Sequence, residues 1–188
     1  VSSRPPVEGV VVATGVVTTD WLSQNEQYVS VRIQALNVNL PPRQENGVQS
    51  GAPLQFGGLA LGRYEVIVTR PGFTDARGQV ELTYDEPRAE VGPLAIRLID
   101  LADAGVGLDG RVIDACQLRT VDSLRGANLS NVIISGDLGA IEPGTCPACA
   151  EFQDPGCAPL DLSESRLSNS DLSQVTGALG ARFDDASM

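Results

Sequence analysis

Three of the four cysteines, Cys146, Cys149 and Cys157, fall within twelve residues of one another, and Cys146-Pro147-Ala148-Cys149 has the Cys-x-x-Cys spacing shared by zinc knuckles and redox dithiols. A redox dithiol needs its reactive thiol at a helix N-terminus, where the dipole lowers the pKa, and no βαβ pattern surrounds this pair. Together with Cys116 the set could close a four-thiolate zinc site, which would be structural rather than catalytic. It could equally form two disulfides that staple a long insertion, at a gain of about 2–4 kcal/mol. Four cysteines allow three pairings, and spacing alone does not choose among them. An even count in a lysine-free, strand-rich chain points to disulfides and an oxidising compartment, so the expectation is two disulfides, no metal and no cofactor.

Carboxylates are the other residues with chemical reach. Asp161, Glu164 and Asp171, or Asp184 and Asp185, could offer oxygens to calcium, but the Asp-x-Asp-x-Asp-Gly order of a twelve-residue calcium loop is missing. A solvated acidic surface is the expectation. A carboxylate pair could also serve a glycosidase, yet aromatics make up 4% of the chain and Trp21 is its single tryptophan, which leaves little platform for sugar stacking. Asn128-Leu129-Ser130 is a glycosylation sequon, meaningful in a secreted protein of a glycosylating host, so a glycan stays open as a partner.

What is missing removes further reaction classes. All 13 bases are arginine, and there is no histidine, hence no Ser-His or Cys-His nucleophile pair and no imidazole ligand. The lack of lysine removes Schiff-base and phosphate-loop chemistry. A formal charge of -11 argues against nucleic acid and anionic membranes, which are bound by clustered cations. No run approaches the ~20 apolar residues of a membrane span, and without an n- or h-region Val1 reads as a mature start.

The elements that must position these residues read as strands. After a leader over residues 1–6, residues 7–17 form a Val-rich strand bounded by Gly9 and Gly15, and 28–35 alternate strictly between apolar and polar. Residues 41–53, with Pro-Pro and Asn-Gly signals and no period, read as an exposed loop. Strands follow at 54–56, 64–68, 79–84 and 94–99, with Pro71-Gly72 as a turn. Six or seven short strands in under a hundred residues predict an antiparallel sandwich. Its loops at 18–27, around Trp21, and 39–53, around Asn46, are the candidate binding surface.

This half resembles the carboxypeptidase-regulatory-like family, also described as transthyretin-like or prealbumin-like sandwiches and related to collagen-adhesin B-type modules. The resemblance rests on Glu8-Gly9-Val10-Val11, Phe56-Gly57-Gly58-Leu59, Gly62-Arg63-Tyr64-Glu65-Val66, Pro71-Gly72-Phe73 and the strand at 94–99, and it covers residues 7–100. It implies a seven-stranded, Ig-like sandwich without its own catalysis, found mostly on secreted and surface proteins. The internal Lys–Asn cross-links of related adhesin modules are forbidden here by the missing lysine.

The apolar-acid-Gly opening of residues 7–13 recurs at 108–115, which suggests a second β-module over 108–188 after a small, acidic linker at 101–107. Leu124-Arg125-Gly126-Ala127-Asn128-Leu129 resembles the start of the family's second strand, and residues 176–183 resemble the turn before its Gly-x-Tyr strand. With a Cys-rich insertion at about 138–175, such a sandwich would lack its last strands. That leaves three readings: a cut in a longer chain, completion by strand exchange with another chain, or a half that is no sandwich. For the last, Leu124, Leu129 and Ile134, and then Leu162, Leu167 and Leu172, recur every five residues, similar to pentapeptide-repeat β-solenoids. The period slips afterwards, Gly177 falling where an inward residue is required. The expectation is therefore an all-β, non-enzymatic protein, secreted or on the cell surface, that works in spacing, adhesion or assembly with other protein chains. The alternative is an accessory carbohydrate- or peptide-binding module of a secreted hydrolase.

Overall fold

Alternation of inward and outward side chains dominates the computed structural model, which describes residues 7–19 and 22–188 and is mostly β, with 45% of residues in strands and 8% in helix. Contacts divide the chain into two units, Val1–Arg97 and Leu98–Met188.

In the first unit seven strands form two sheets: β1 (Gly9–Val17), β2 (Tyr28–Ala35), β3 (Arg43–Gln49), β4 (Pro53–Leu59), β5 (Gly62–Thr69), β6 (Ala76–Leu82) and β7 (Arg88–Ile96). One sheet has the order β4-β1-β7 and the other β3-β2-β5-β6. Val11, Ala13, Val29, Val31, Ile33, Phe56, Val66, Val68 and Ile96 are essentially fully buried, and each Val, Ile or Phe among them contributes about 1.5–3 kcal/mol. Gly9 opens β1 as expected, but Gly15 lies within it and does not end it, both on the inward-facing row. A Cβ on Gly15 would come within 2.8 Å of Val68 Cγ1, so the glycine is what lets these strands close up.

Two expectations need correction here. The pairing is not wholly antiparallel, because β1 and β7 run parallel from Val10↔Arg88 to Val17↔Ile96. A parallel pair needs a long crossover, and the chain supplies one by building the second sheet between these strands. Residues 41–53 are also not a loop, since β3 pairs antiparallel with β2 from Tyr28↔Gln49 to Ile33↔Arg43. As an edge strand whose residues are nearly all exposed, β3 is held by backbone bonds and needs no apolar period.

One pole of this unit collects most of its exposed large apolar residues, Tyr28 standing at the other. β2, β4 and β6 end there and β1, β3, β5 and β7 begin there, as Gly9↔Leu59, Ile33↔Arg43 and Gly62↔Leu82 show. Leu36, Val38 and Leu40 on the β2–β3 connection, Leu61 between β4 and β5, and Tyr84 after β6 are 39–54% exposed.

The second unit is built differently. β8 (Val112–Asp114), β9 (Ile133–Asp137) and β10 (Asp171–Gly177) form a parallel sheet of order β10-β9-β8. Isolated parallel bridges join Asn128 to Arg166, Asp161 to Arg182 and Arg166 to Ser187. Partners lie 21 residues apart in Val112↔Ile133 and Asp161↔Arg182, so each circuit of about four five-residue steps stacks on the one before. Leu108, Leu124, Leu129, Ile134, Leu162 and Leu167 fill the interior at 4% exposure or less, while Leu172 is only half buried. This half is therefore not an incomplete antiparallel sandwich but a stack of parallel turns.

The apparent repeat of residues 7–13 at 108–115 is not a structural repeat either. Gly110 is a corner with φ of 71°, whereas Gly9 lies in a long strand facing Leu82. Residues 101–107 do not form a linker, because α1 (Leu101–Ala104) buries Leu101 and Ala104 and Val106 follows them inward. Corners recur in register: Gly105, Gly126, Glu164 and Asp185 occupy one left-handed position, and Gly110, Asn131 and Asn169 another. Such positions favour Gly and Asn, which explains most of these residues but not Glu164.

Candidate functional site

The cysteines sit where one circuit is interrupted. Asn128↔Arg166 are 38 apart instead of 21, because the chain leaves the stack after Leu138 and rejoins at Leu160. The insertion is thus shorter than the expected 138–175: Leu162, Leu167 and the strand β10 belong to the stack itself. All four cysteines pair, Cys116 with Cys146 and Cys149 with Cys157, and none is free. Zinc coordination needs thiolates, which these disulfides consume, and the two cysteines of the Cys-x-x-Cys spacing are each bonded to a different partner instead of to one another as in a redox dithiol. The first bridge ties the excursion to α2 (Ala115–Leu118), and the second closes a small ring within it.

Arg119, immediately after α2, holds the base of the excursion. It is 6% exposed and its hydrogen bonds go to backbone carbonyls; Nη1 donates to the carbonyls of Gly156 and Ala158, and Nη2 to those of Asp137 and Gly139. Both ends of the excursion are therefore gathered on one guanidinium. Burial pushes its pKa down from the usual arginine value, with the nearby charge of Asp137 opposing. Gly156 packs against Ala148, whose carbonyl oxygen would lie 2.0 Å from a Cβ there.

Within the ring, Asp154 organises the tip. Its Oδ2 accepts from the amides of Ala150 and Glu151, both at 2.8 Å, and its own amide donates to the Glu151 carbonyl at 3.0 Å. Phe152 stands on this framework and is 82% exposed, whereas Phe56 and Phe73 are buried. Beside the base lies a cleft of about 260 Å³ between Arg119, Arg125, Asp122 and Asp161 on the stack and Pro155 and Pro159 on the excursion.

Four of the five acidic residues considered for calcium are engaged with other groups, and Asp185 stands at a left-handed corner. Glu164 pairs with Arg125 at 2.5 Å, and Asp184 with Arg182 at 2.8 Å. Asp161, hydrogen-bonded by Ser163 and near Arg182, is held below the usual carboxylate range, as is Asp171 by Ser173. Among the described residues no three His, Cys, Asp or Glu side chains converge as metal ligands. Asn128 is exposed on the outside of the stack, its Oδ1 accepting from the Ser130 amide.

In the first unit, Trp21 lies outside the described residues. Asn46 is on the edge strand, not on a loop tip. With Gly47 (φ 66°) it forms a bulge, since the register passes from Val29↔Val48 to Val31↔Glu45. Residues 22–27 fold around the buried Arg70, which donates to the Glu26 carbonyl and lies 4.2 Å and 4.7 Å from the ring centroids of Tyr28 and Phe73. Burial lowers its pKa, partly offset by Tyr28 and Glu26. Two concave places among the described residues are relevant here. One is an apolar pocket of about 220 Å³ at the pole, lined by Ile33, Ala35, Leu40, Leu59 and Tyr64, with Arg43 at its edge. The other is a polar groove over Ile67, lined by Arg32, Gln34, Gln44, Thr69, Asp75 and Arg77.

Sequence reading missed Arg70, Arg119 and Phe152. A buried guanidinium that serves carbonyls has no spacing signature, and the one local signal near the tip is the turn sequence Asp154-Pro155-Gly156 beside Phe152.

Among the described residues no helix is long and apolar enough to cross a membrane. Comparison with protein-family models and with curated proteins found no match to this chain.

Proposed function

We propose that this chain is a non-catalytic structural protein of an extracellular or cell-surface setting, used for spacing, adhesion or assembly with other protein chains. On this reading the first unit is a regulatory-like, transthyretin-type sandwich and the second a pentapeptide-type solenoid. The observation that carries it is the excursion over residues 139–159: two disulfides and one buried arginine hold rigid a segment that presents an apolar side chain outward. Rigid display of an exposed aromatic suits recognition of another surface, because pre-organisation lowers the entropic cost of binding. Disulfides also fit a compartment outside the reducing cytosol.

Isolation of the protein from its native host under alkylating conditions, with intact-mass measurement and sedimentation, tests this. Four oxidised cysteines and a chain found in assemblies support the proposal, while free thiols in native material, or turnover by the purified chain, overturn it.

A second reading, as an accessory glycan-binding module of a secreted hydrolase, is favoured by the groove over Ile67. Arginine, glutamine, aspartate and threonine side chains surround an apolar floor there, in the manner needed to hydrogen-bond a polyol. Calorimetric titration with neutral and acidic oligosaccharides, repeated on Arg32→Ala, would separate it from the first.

A further inference from the structure

We propose that the chain associates head to tail, Phe152 of one copy inserting into the apolar pocket at the sandwich pole of the next. The proposal deepens the assembly reading above and rests on it. Three observations meet in this pairing.

The donor is pre-organised. Phe152 projects from the nine-residue ring closed by Cys149–Cys157, with its backbone fixed by Asp154. An exposed aromatic held rigid by covalent and hydrogen-bonded scaffolding has the character of an interface hot spot.

The acceptor fits one side chain. At about 220 Å³ the pocket is smaller than the ~300–1,000 Å³ of sites for drug-sized ligands, and its walls are aliphatic apart from Tyr64 and Arg43. The Tyr64 hydroxyl already donates to the Ala60 carbonyl at 2.8 Å, so no polar demand is left on that wall. Leu36 and Leu61 directly follow the lining residues Ala35 and Ala60 in the chain, and with Val38 on the β2–β3 connection they are exposed apolar side chains at the same pole, the kind of patch that marks an interaction surface.

The charges match. Within the excursion that bears Phe152 the charged residues are Glu142, Glu151 and Asp154, with no base. Glu151 adjoins Phe152. At the acceptor, Arg43 donates to the Gly57 carbonyl and lies 5.6 Å from the Phe56 ring centroid, and among the described residues it has no carboxylate partner. Insertion of Phe152 brings Glu151 toward Arg43.

Donor and acceptor are different surfaces, so the contact is heterologous, and unless its rotation closes a ring it propagates into filaments. One ring with flanking charges makes a small interface, so association is weak and weakens with salt.

Sedimentation of the whole oxidised chain across a concentration series up to the millimolar range tests this. Wild type should form oligomers of increasing size. Phe152→Ala, at a fully exposed position that does not compromise folding, should raise the dissociation constant about thirtyfold, the scale of a hot-spot residue. Arg43→Glu should weaken association, and Arg43→Glu with Glu151→Arg in one chain should restore it. A mixture of Phe152→Ala and Arg43→Glu chains should stop at a 1:1 dimer, each supplying one intact surface. Wild-type association untouched by Phe152→Ala would overturn the docking while leaving assembly standing by another surface. A wild type that stays monomeric throughout would overturn the docking and self-assembly by any surface, whereas the broader structural reading falls only to free thiols in native material or to turnover.

Discussion

The amide of Leu160 donates to the carbonyl of Leu138 at 2.9 Å, joining two residues that stand as neighbours in one circuit although the whole disulfide-bonded excursion lies between them. Arg119 sits against the same junction. Its four carbonyl partners are two residues from each limb, Asp137 and Gly139 on the way out and Gly156 and Ala158 on the way back.

Arg119→Met would therefore leave four backbone acceptors without their donor in a largely buried place. Hydrogen bonds to a charged group contribute about 1.5–3 kcal/mol each and unsatisfied buried acceptors cost about as much, so a loss on the order of 3 kcal/mol or more is expected. Arg119→Lys should recover only part of it, because an ammonium cannot reach two pairs of carbonyls as the planar guanidinium does. Urea melts of the oxidised protein would show it, and equal stability of the Met variant and wild type would remove Arg119 from its role at the junction.

The two disulfides should contribute unequally. Cys116–Cys146 closes a separation of 30 residues and Cys149–Cys157 one of 8, so the chain-entropy model assigns roughly 3.7 and 2.6 kcal/mol respectively. Replacing each pair by serines and comparing denaturant midpoints checks the order. The short bridge should matter less to global stability but more to protection of the Phe152 tip from proteolysis, since the tip lies inside its ring.

The alternation of 28–35 made β2 legible to the residue, whereas β3 was read as loop because an edge strand paired on one side needs no buried face. The five-residue spacing of Leu124, Leu129 and Ile134 and of Leu162 and Leu167 was visible too, and all five are buried. What hid the stack was the excursion, which displaces the next circuit, and a first circuit that opens with Asp100↔Ser123 at an offset of 23 and turns through two short helices. Of the candidate site, the cysteines were evident from their count. Arg119 was not, because a buried guanidinium serving carbonyls leaves no spacing signature.

Gly15 marks a position where the first unit has no room. A Cβ would meet Val68 Cγ1 at 2.8 Å and Val29 Cγ2 at 3.0 Å, both from the facing sheet. Gly15→Ala should cost about 1–3 kcal/mol through overpacking. Trimming the opposing wall with Val68→Ala in the same chain should return part of that loss, so the two changes together would destabilise less than their sum. Strict additivity in a double-mutant cycle would show that the contact is not the cause.

Glu164 occupies a left-handed corner, φ 60°, where the equivalent residues of earlier circuits are Gly105 and Gly126. Against the backbone strain stands its pair with Arg125, which is solvent-exposed and of the kind that contributes little. Glu164→Gly should raise the melting temperature by a few degrees, because relief of a positive φ outweighs a surface ion pair. The pH dependence fixes the sign of each part. Hydrogen bonding and charge from Arg125 hold the Glu164 carboxyl below its ordinary pKa, so the pair's contribution is present above the unfolded value and is lost as pH falls through the folded one. The backbone relief does not titrate. The advantage of the glycine variant should therefore be larger at roughly pH 3 than at neutrality, where wild type still has its ion pair. Melting curves of the two proteins across that interval decide it: an advantage that shrinks on acidification would mean that the corner carries no strain and that the variant acts through the charge alone.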